Sequence, residues 1–522
     1  MDGTLIQKEL GAAAGQSANG IFDTEYLKTD LKGRSIRGGA ATMFGQGAKI
    51  FVRMGAMVVL ARLLTPGEYG LVGMVTPITE FILMFRDMGL STATIQRADI
   101  NHSQISTLFW INVAVGLLLA AVTAALAPAI AWFYGEPQLT RVTLVLAMGL
   151  LLGGLTIQHQ ALLRRHMHFA ALAAIEVTSM FVGAATAIVA AWLGAGYWAL
   201  VFMQLAASGA MAAGVWAASG WRPGWPRLRC GVRSMVNFGR DIIGFRMVNY
   251  FALNSDKILL GRLSGKVVLG LYGRAYGIMA MPISQITWPM TSVAMPALSR
   301  VQDDPEKYRS YYIQLVQLLS FVSMPLVVLL AVCSKSVVNL VLGDQWVGAG
   351  RIFQILAIAA FIQPVSSTTI VVLLSLGQSG RLLKFGIFNS SVLLLSFAVG
   401  VRWGAVGVAA AYAAAIYIIL FPGLWYCLRK TPVTVAAFLR AIARPTTASL
   451  VTALMILSVH PYLLKLPDIG IVGISFVIAC LTYLLVWILM PGGTQVLRDF
   501  AGYVRLLYPK KKSEGSNERT AL

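Results

Sequence analysis

LARLLTPGEYGLVG, from Leu60 to Gly73, aligns without a gap to LGRLSGKVVLGLYG, from Leu260 to Gly273. Leu60, Arg62, Leu63, Gly70, Leu71 and Gly73 recur at an offset of 200 as Leu260, Arg262, Leu263, Gly270, Leu271 and Gly273. A weaker echo pairs RVTLVLA (Arg141 to Ala147) with RIFQILA (Arg351 to Ala357). Apolar segments share small and branched residues by composition, but an ungapped match at a helix–loop–helix boundary that keeps one arginine and two glycines reads as an internal duplication. An even number of spans separates the two copies, so they share one orientation. Parallel repeats of this kind are a transporter architecture, with the substrate path between the halves.

The residues around the repeat identify its solvent. Of 522 residues, 57% are hydrophobic and 12% charged, and the mean hydropathy is +0.73. That balance lies outside the range of soluble domains, so the bilayer is the main solvent. A hydrocarbon core of about 30 Å takes about 20 apolar residues as a helix, and only helices or closed barrels satisfy their backbone polar groups there. Val113 to Ile130 and Ile469 to Met490 are too long for barrel strands. The expected fold class is an all-α integral membrane protein of about fourteen transmembrane helices. Hydropathy places spans near 41–62, 70–90, 107–133, 141–162, 168–193, 196–217, 241–262, 269–290, 312–334, 351–375, 383–401, 405–427, 443–463 and 469–490. Two parallel six-helix repeats and two C-terminal helices follow. The expected divisions are an N-terminal arm (1–37), an N-lobe (38–220), a basic linker (221–240), a C-lobe (241–428), spans 13 and 14 (429–490) and a tail (491–522).

A net charge of +21 points to nucleic acid in a soluble protein, but here it is read against the membrane. Lys and Arg in the arm, at Arg97, around Arg164 and Arg165, in the Arg222 to Arg240 stretch, at Arg300, Lys307 and Arg309, at Arg381 and Lys384, from Arg429 to Arg444 and in the tail outnumber those on the alternate loops by more than three to one. The positive-inside rule then puts both termini in the cytoplasm and leaves no surplus to argue for nucleic acid. The arm shows no stretch of signal-peptide length. The tail, with Lys510 to Lys512, reads as a disordered end able to touch anionic membrane lipids. Cys230, Cys333, Cys427 and Cys480 are scattered without metal or redox spacing, and the five histidines form no ligand pattern. No cofactor or metal is expected.

LARLLTPGEYGLVGM (Leu60 to Met74), RDMGLSTATIQR (Arg86 to Arg97), LGLYGRAYGIMAMP (Leu269 to Pro282) and LGDQW (Leu342 to Trp346) together resemble the polysaccharide transporter family. These are the colanic-acid-exporter-like flippases of the multidrug/oligosaccharidyl-lipid/polysaccharide (MOP) exporter superfamily. The resemblance runs from about residue 35 to about 490. It implies a MATE-like two-lobed fold, alternating access, and carriage of an undecaprenyl-diphosphate-linked oligosaccharide across a bacterial inner membrane.

Charges inside spans are costly and usually mark a pathway. Lys49 and Arg53 lie four apart on one face of the first span, with Gln46 one turn earlier. Arg246 and Asn249 fall at the repeat positions of Gln46 and Lys49. If these faces meet, they form a cationic cavity suited to a diphosphate, Arg supplying a planar fork and Lys a point charge. The other reading for Lys49, Arg246 and Arg53 is snorkelling to the headgroups. Glu80, Glu176, Asp256, Lys257 and Arg274 are gating, coupling or interhelical-pair candidates. Arg86 and Asp87, at the cytoplasmic mouth of the second span, read as a helix end or closing contact. Tyr250 and Trp288 could stack sugars, and Pro77, Pro282 and Pro289 could kink helices. No Walker loop, nucleophile elbow, zinc pattern or paired catalytic carboxylates appears, so the expectation is a transporter and not an enzyme. The runner-up is a cation-coupled drug exporter of the same superfamily, disfavoured because Lys and Arg outnumber acids in spans one and seven. A polymerase would need a large outer loop, and every outer loop is short. A scaffold within a polysaccharide polymerase or export complex stays open.

Overall fold

Turn chemistry sets where the helices begin. Pro66 occupies the first turn of a helix whose N-cap is Thr65, and Thr65 and Glu68 close a capping box. Their side chains satisfy two backbone donors that a helix start leaves orphaned. Asn101 and Gln104 repeat the device at the next long helix, which ends on Gly135 in the left-handed region at φ 71°. Asp304 caps a third helix start through Lys307 N–H.

The computed structural model describes residues 31–87, 90–96, 100–226, 233–498 and 502. In order, the helices are α1 (Leu31–Leu63), α2 (Pro66–Leu83), α3 (Leu90–Gln96), α4 (His102–Tyr134), α5 (Gln138–Arg165), α6 (Phe169–Trp192), α7 (Trp198–Ser219) and α8 (Arg233–Arg300). They continue as α9 (Pro305–Val332), α10 (Ser334–Leu342), α11 (Val347–Ser366), α12 (Thr368–Ser375), α13 (Ser379–Gly400), α14 (Gly404–Leu428), α15 (Val435–Leu463) and α16 (Asp468–Leu489). Among the described residues there is no strand.

Among the described residues, eleven helical stretches are long and apolar enough to cross a membrane. Two of these are pairs of spans. Within α8 the backbone at Gly265 turns to φ 83°, ψ 175°, a conformation open to glycine, and divides spans seven and eight with no intervening loop. Gly404, at φ 64°, separates α13 from α14. With those divisions and the shorter α2, the expected fourteen spans are present. α2 stops at Leu83, earlier than the hydropathy run to residue 90, so Arg86 and Asp87 lie beyond the helix in the turn that leads to α3.

The chain divides into two compact units. The first takes in the described residues up to Ile278 with Val337–Leu356 and Leu383–Ile419, and so holds both copies of the repeat. Here α1 runs along α6, α4 along α5 and α6 along α7. Gly116 and Gly154 let the backbones of α4 and α5 touch, the small-residue packing that bilayer helices use in place of a hydrophobic driving force. Phe109, Leu162 and Trp221 form one buried core of this unit.

The second unit comprises Met279–Ser336, Ala357–Leu382 and the described residues from Leu420. Its polar side chains bond across helices: Tyr308 Oη lies 2.7 Å from Ser375 Oγ, and Tyr312 Oη lies 2.9 Å from Thr368 Oγ1. α15 and α16 pack through Ala448, Tyr483 and Trp487, with Tyr483 Oη donating to the Phe321 carbonyl at 3.0 Å. Cys333 and Cys427 are buried free thiols and Cys480 is an exposed one; Cys230 lies outside the described residues.

Candidate functional site

The two repeat copies meet each other. A Cβ added to Gly70 would collide with the Lys266 carbonyl, and one added to Gly270 with the Pro66 carbonyl. Lys266 stands 200 residues after Pro66, as Gly270 does after Gly70. The counterpart of Gly70 therefore contacts the counterpart of Lys266, the reciprocity of an isologous, twofold contact. α2 and the second arm of α8 approach to backbone contact there, which only glycine permits. Beside the crossing, the Arg274 guanidinium lies 3.8 Å from the Tyr69 ring centroid, close enough for a cation–π contact. Lys266 Nζ pairs with Glu136 Oε2 at 3.0 Å.

The polar stripe of α1 is divided in its pairing. Lys49 Nζ lies 2.6 Å from Glu176 Oε2 on α6, both side chains largely buried. Its charge is thus compensated within the first half of the chain. Arg53, one turn on, is exposed and forms no ion pair among the described residues. Arg246 and Asn249 lie on the described backbone of α8, but their side chains are outside the described set. Just beyond them, Tyr250 Oη donates to the Pro77 carbonyl at 2.8 Å and to Glu80 Oε2 at 3.3 Å. Phe81 and Phe251 rings pack at 4.6 Å. Spans two and seven are therefore joined partway along their length, and Tyr250 spends its hydroxyl on that joint. Trp288 is exposed.

Asp256 is buried, accepting from Tyr272 Oη at 2.8 Å and from the Lys257 backbone N–H at 2.7 Å. Lys257 Nζ turns instead to Asn254 Oδ1 at 3.0 Å. The neighbours in sequence do not pair through their side chains, as expected from their different helix faces. Tyr272 stacks on Tyr276, which meets Tyr412 of α14 edge-on. At the other end of the bundle, Asp87 accepts from Ser91 N–H at 2.9 Å and from its hydroxyl, capping α3. Arg86 lies against Gly153 of α5, where a Cβ would be 2.6 Å from its Nη1. No group of three or more His, Cys, Asp or Glu side chains gathers among the described residues.

The polar stripe and the repeat are visible in the sequence, but the pairing of Lys49 with Glu176 is not. Nor are Tyr272 as the Asp256 partner and Glu136 as the Lys266 partner, because nothing in a linear sequence brings them together.

A polytopic helical membrane protein with a duplicated core and ionised residues inside its spans is a transporter-class fold. The profile of the polysaccharide biosynthesis protein family matches residues 59–351. The teichuronic acid biosynthesis protein TuaB of Bacillus subtilis (strain 168) is 30% identical over 72% of this chain and 78% of its own. The lipopolysaccharide biosynthesis protein WzxC of Escherichia coli (strain K12) is 25% identical over 67% and 72% respectively. The succinoglycan biosynthesis transport protein ExoT of Rhizobium meliloti (strain 1021) is 24% identical over 76% and 81%. Among solved structures, the lipid II flippase MurJ in an inward closed conformation superposes with a TM-score of 0.69 at 14% identity, over 89% of this chain and all of that one. An inward-facing multidrug resistance MATE transporter does so at 0.56 and 15% identity, over 76% and 95%. At such identities these likenesses show the fold alone. The chain belongs to the polysaccharide transporter family.

Proposed function

We propose that this protein carries a polyprenyl-diphosphate-linked oligosaccharide from the cytoplasmic to the periplasmic leaflet of a bacterial inner membrane by alternating access. The carrier lipid is taken as undecaprenyl, and the glycan as a repeat unit of an exopolysaccharide or lipopolysaccharide. Its relatives are named for the biosynthesis or transport of such polymers, and it shares its fold with a lipid II flippase. On this reading it transports and performs no covalent chemistry, with the lipid-linked saccharide as its principal partner and a polymerase or export complex downstream. The basic loops put both termini in the cytoplasm, so the end of the bundle at Thr65 and Gly265 faces the periplasm.

The observation that carries an anionic cargo is Arg53, an exposed guanidinium inside an apolar span. An arginine at mid-span costs about 2.5–3.5 kcal/mol on insertion scales, and among the described residues no ion pair offsets it. Its planar donors suit a diphosphate. Arg246 and Asn249 extend the site on the seventh span, and Lys49 borders it through its pair with Glu176. Asp256, Lys257, Glu80, Arg274, Arg86 and Asp87 serve gating or coupling. Arg53→Ala should accumulate normally yet lose surface polysaccharide in the native host; Arg53→Lys should recover part, and Arg246→Ala should lose less. Lys465→Ala, on an outer loop, is the silent control. Normal export by Arg53→Ala would remove the support for an anionic pathway.

A further inference from the structure

We infer that two loops, one from each half of the chain, clasp the first helix of the opposite half and together form the latch of the outer gate, with Gln345 and Trp346 as a detachable helix cap. The inference rests on the alternating-access reading above. It adds the element that must let go.

The last carbonyls of a helix have no partner within the helix. At the end of α1, Leu60 O is taken by Leu64 N–H. Ala61 O is taken by the second half of the chain: it accepts from Gln345 Nε2 and, at 2.7 Å, from Trp346 Nε1. Gln345 Nε2 also reaches Leu64 O at 3.1 Å, and Arg62 Nη2 donates to Leu340 O at 3.2 Å. Trp346 is fully buried, its ring edge-on to Tyr69 at 5.4 Å. Tyr69 in turn lies under Arg274. The cap of span one is therefore borrowed from Gln345 and Trp346, and Arg62 returns a bond to the Leu340 carbonyl.

The reverse contact is present at the repeat-equivalent place. The last residues of α4 and the turn that follows them before Arg141, counterpart of the segment before Arg351 that carries Trp346, pack on the end of span seven. Tyr134 sits against Gly261, where a Cβ would fall 2.8 Å from its ring. Gly261 is the counterpart of Ala61. The Arg262 guanidinium, counterpart of Arg62, lies 5.9 Å from the Phe133 ring centroid. Lys266 pairs with Glu136. The two clasps exchange their targets about the axis that relates Gly70 to Gly270, but they differ in chemistry. One bonds backbone carbonyls through neutral donors; the other uses rings and an ion pair. Stripping the first leaves Ala61 O and Leu64 O without partners, and an unpaired carbonyl is costly to leave out of water. That loop is the stronger latch, because its release has to be coupled to the entry of water at this end.

The test reads the gate directly. In a background with all four cysteines replaced by serine, Gly67→Cys places a thiol at the crossing, where a Cβ is 3.5 Å from Val267 Cγ2. Protein in lipid nanodiscs is labelled with a charged maleimide and the rate followed by mass. Gln345→Ala and Trp346→Phe, which keeps the ring and loses the N–H, should each raise the rate roughly fivefold. Trp110→Phe, which loses a bond to the Gly224 carbonyl elsewhere, should leave it unchanged. Equal rates in Gln345→Ala, Trp346→Phe and the parent would overturn the latch. Gln345 is exposed, so its variant keeps the test decisive should Trp346→Phe fail to accumulate. Gly67→Cys with Val267→Cys, oxidised, should abolish polysaccharide export in cells, and reduction should restore it. Export that survives the crosslink while labelling responds to Gln345→Ala would sink the flippase reading and leave the latch standing.

Discussion

Gly270→Ala adds one methyl group where α2 and α8 touch, and its cost follows from what the methyl meets. The atoms in its way are the carbonyl of Pro66 and the backbone N of Gly70, which cannot swing aside as a side chain would. Overpacking of a close contact costs about 1–3 kcal/mol even where side chains can adjust, so a collision with backbone belongs at or above the top of that range. Replacing glycine by alanine within a helix returns about 0.5–1 kcal/mol. The net is a loss of about 2 kcal/mol. Gly273, three residues on in the same helix, has open space at its Cβ, so Gly273→Ala keeps the gain and avoids the collision. Apparent melting midpoints in detergent, followed by a fluorescent fusion through size exclusion, compare the two. At roughly 2–4 °C per kcal/mol for larger domains, Gly270→Ala should fall by about 4–8 °C while Gly273→Ala stays level or rises. Equal midpoints would refute the backbone contact. Gly70→Ala with Gly270→Ala should cost less than the two singles added, because helices once parted admit the second methyl.

Glu176→Gln strands Lys49 as an uncompensated charge. The loss should be about 1–3 kcal/mol, between the exposed and fully buried cases, seen as lower accumulation, and Lys49→Met with Glu176→Leu should restore it. A topology reporter fused at Gly194 or Asp468 should report periplasm and one at Trp225 or Pro432 cytoplasm; an inversion between these pairs would mean a wrong span count.

Fold class, span number and repeat could be read in the sequence because each is a periodic or compositional property. Hydropathy responds to about 20 residues at once, and the repeat is written twice. The boundary of α2 could not be placed this way. Met84 and Phe85 extend the apolar run past the point where the helix stops, and hydropathy does not register the turn that hands Asp87 to α3. Pairings were the least legible. Lys49 and Glu176 stand 127 positions apart, and Glu176 is one of several acids that the sequence offers. Asp256 could be marked as costly from its span alone, but its partner Tyr272 is one of 17 tyrosines. The clasp residues were hidden for another reason. Gln345 and Trp346 bond backbone carbonyls, and a carbonyl acceptor leaves no trace in residue identity.

The reciprocal contact of Gly70 with Gly270 also bears on ancestry. A twofold interface between duplicated segments is a homodimer interface whose two chains have become one. A half-length precursor needed only a single self-complementary face, with glycine at the crossing, to pair with a second copy in the same membrane orientation. Glycine remained at both ends of the contact, where each backbone occupies the space the other's side chain would need, whereas the surrounding clasps diverged into a hydrogen-bonded arm and an ionic one.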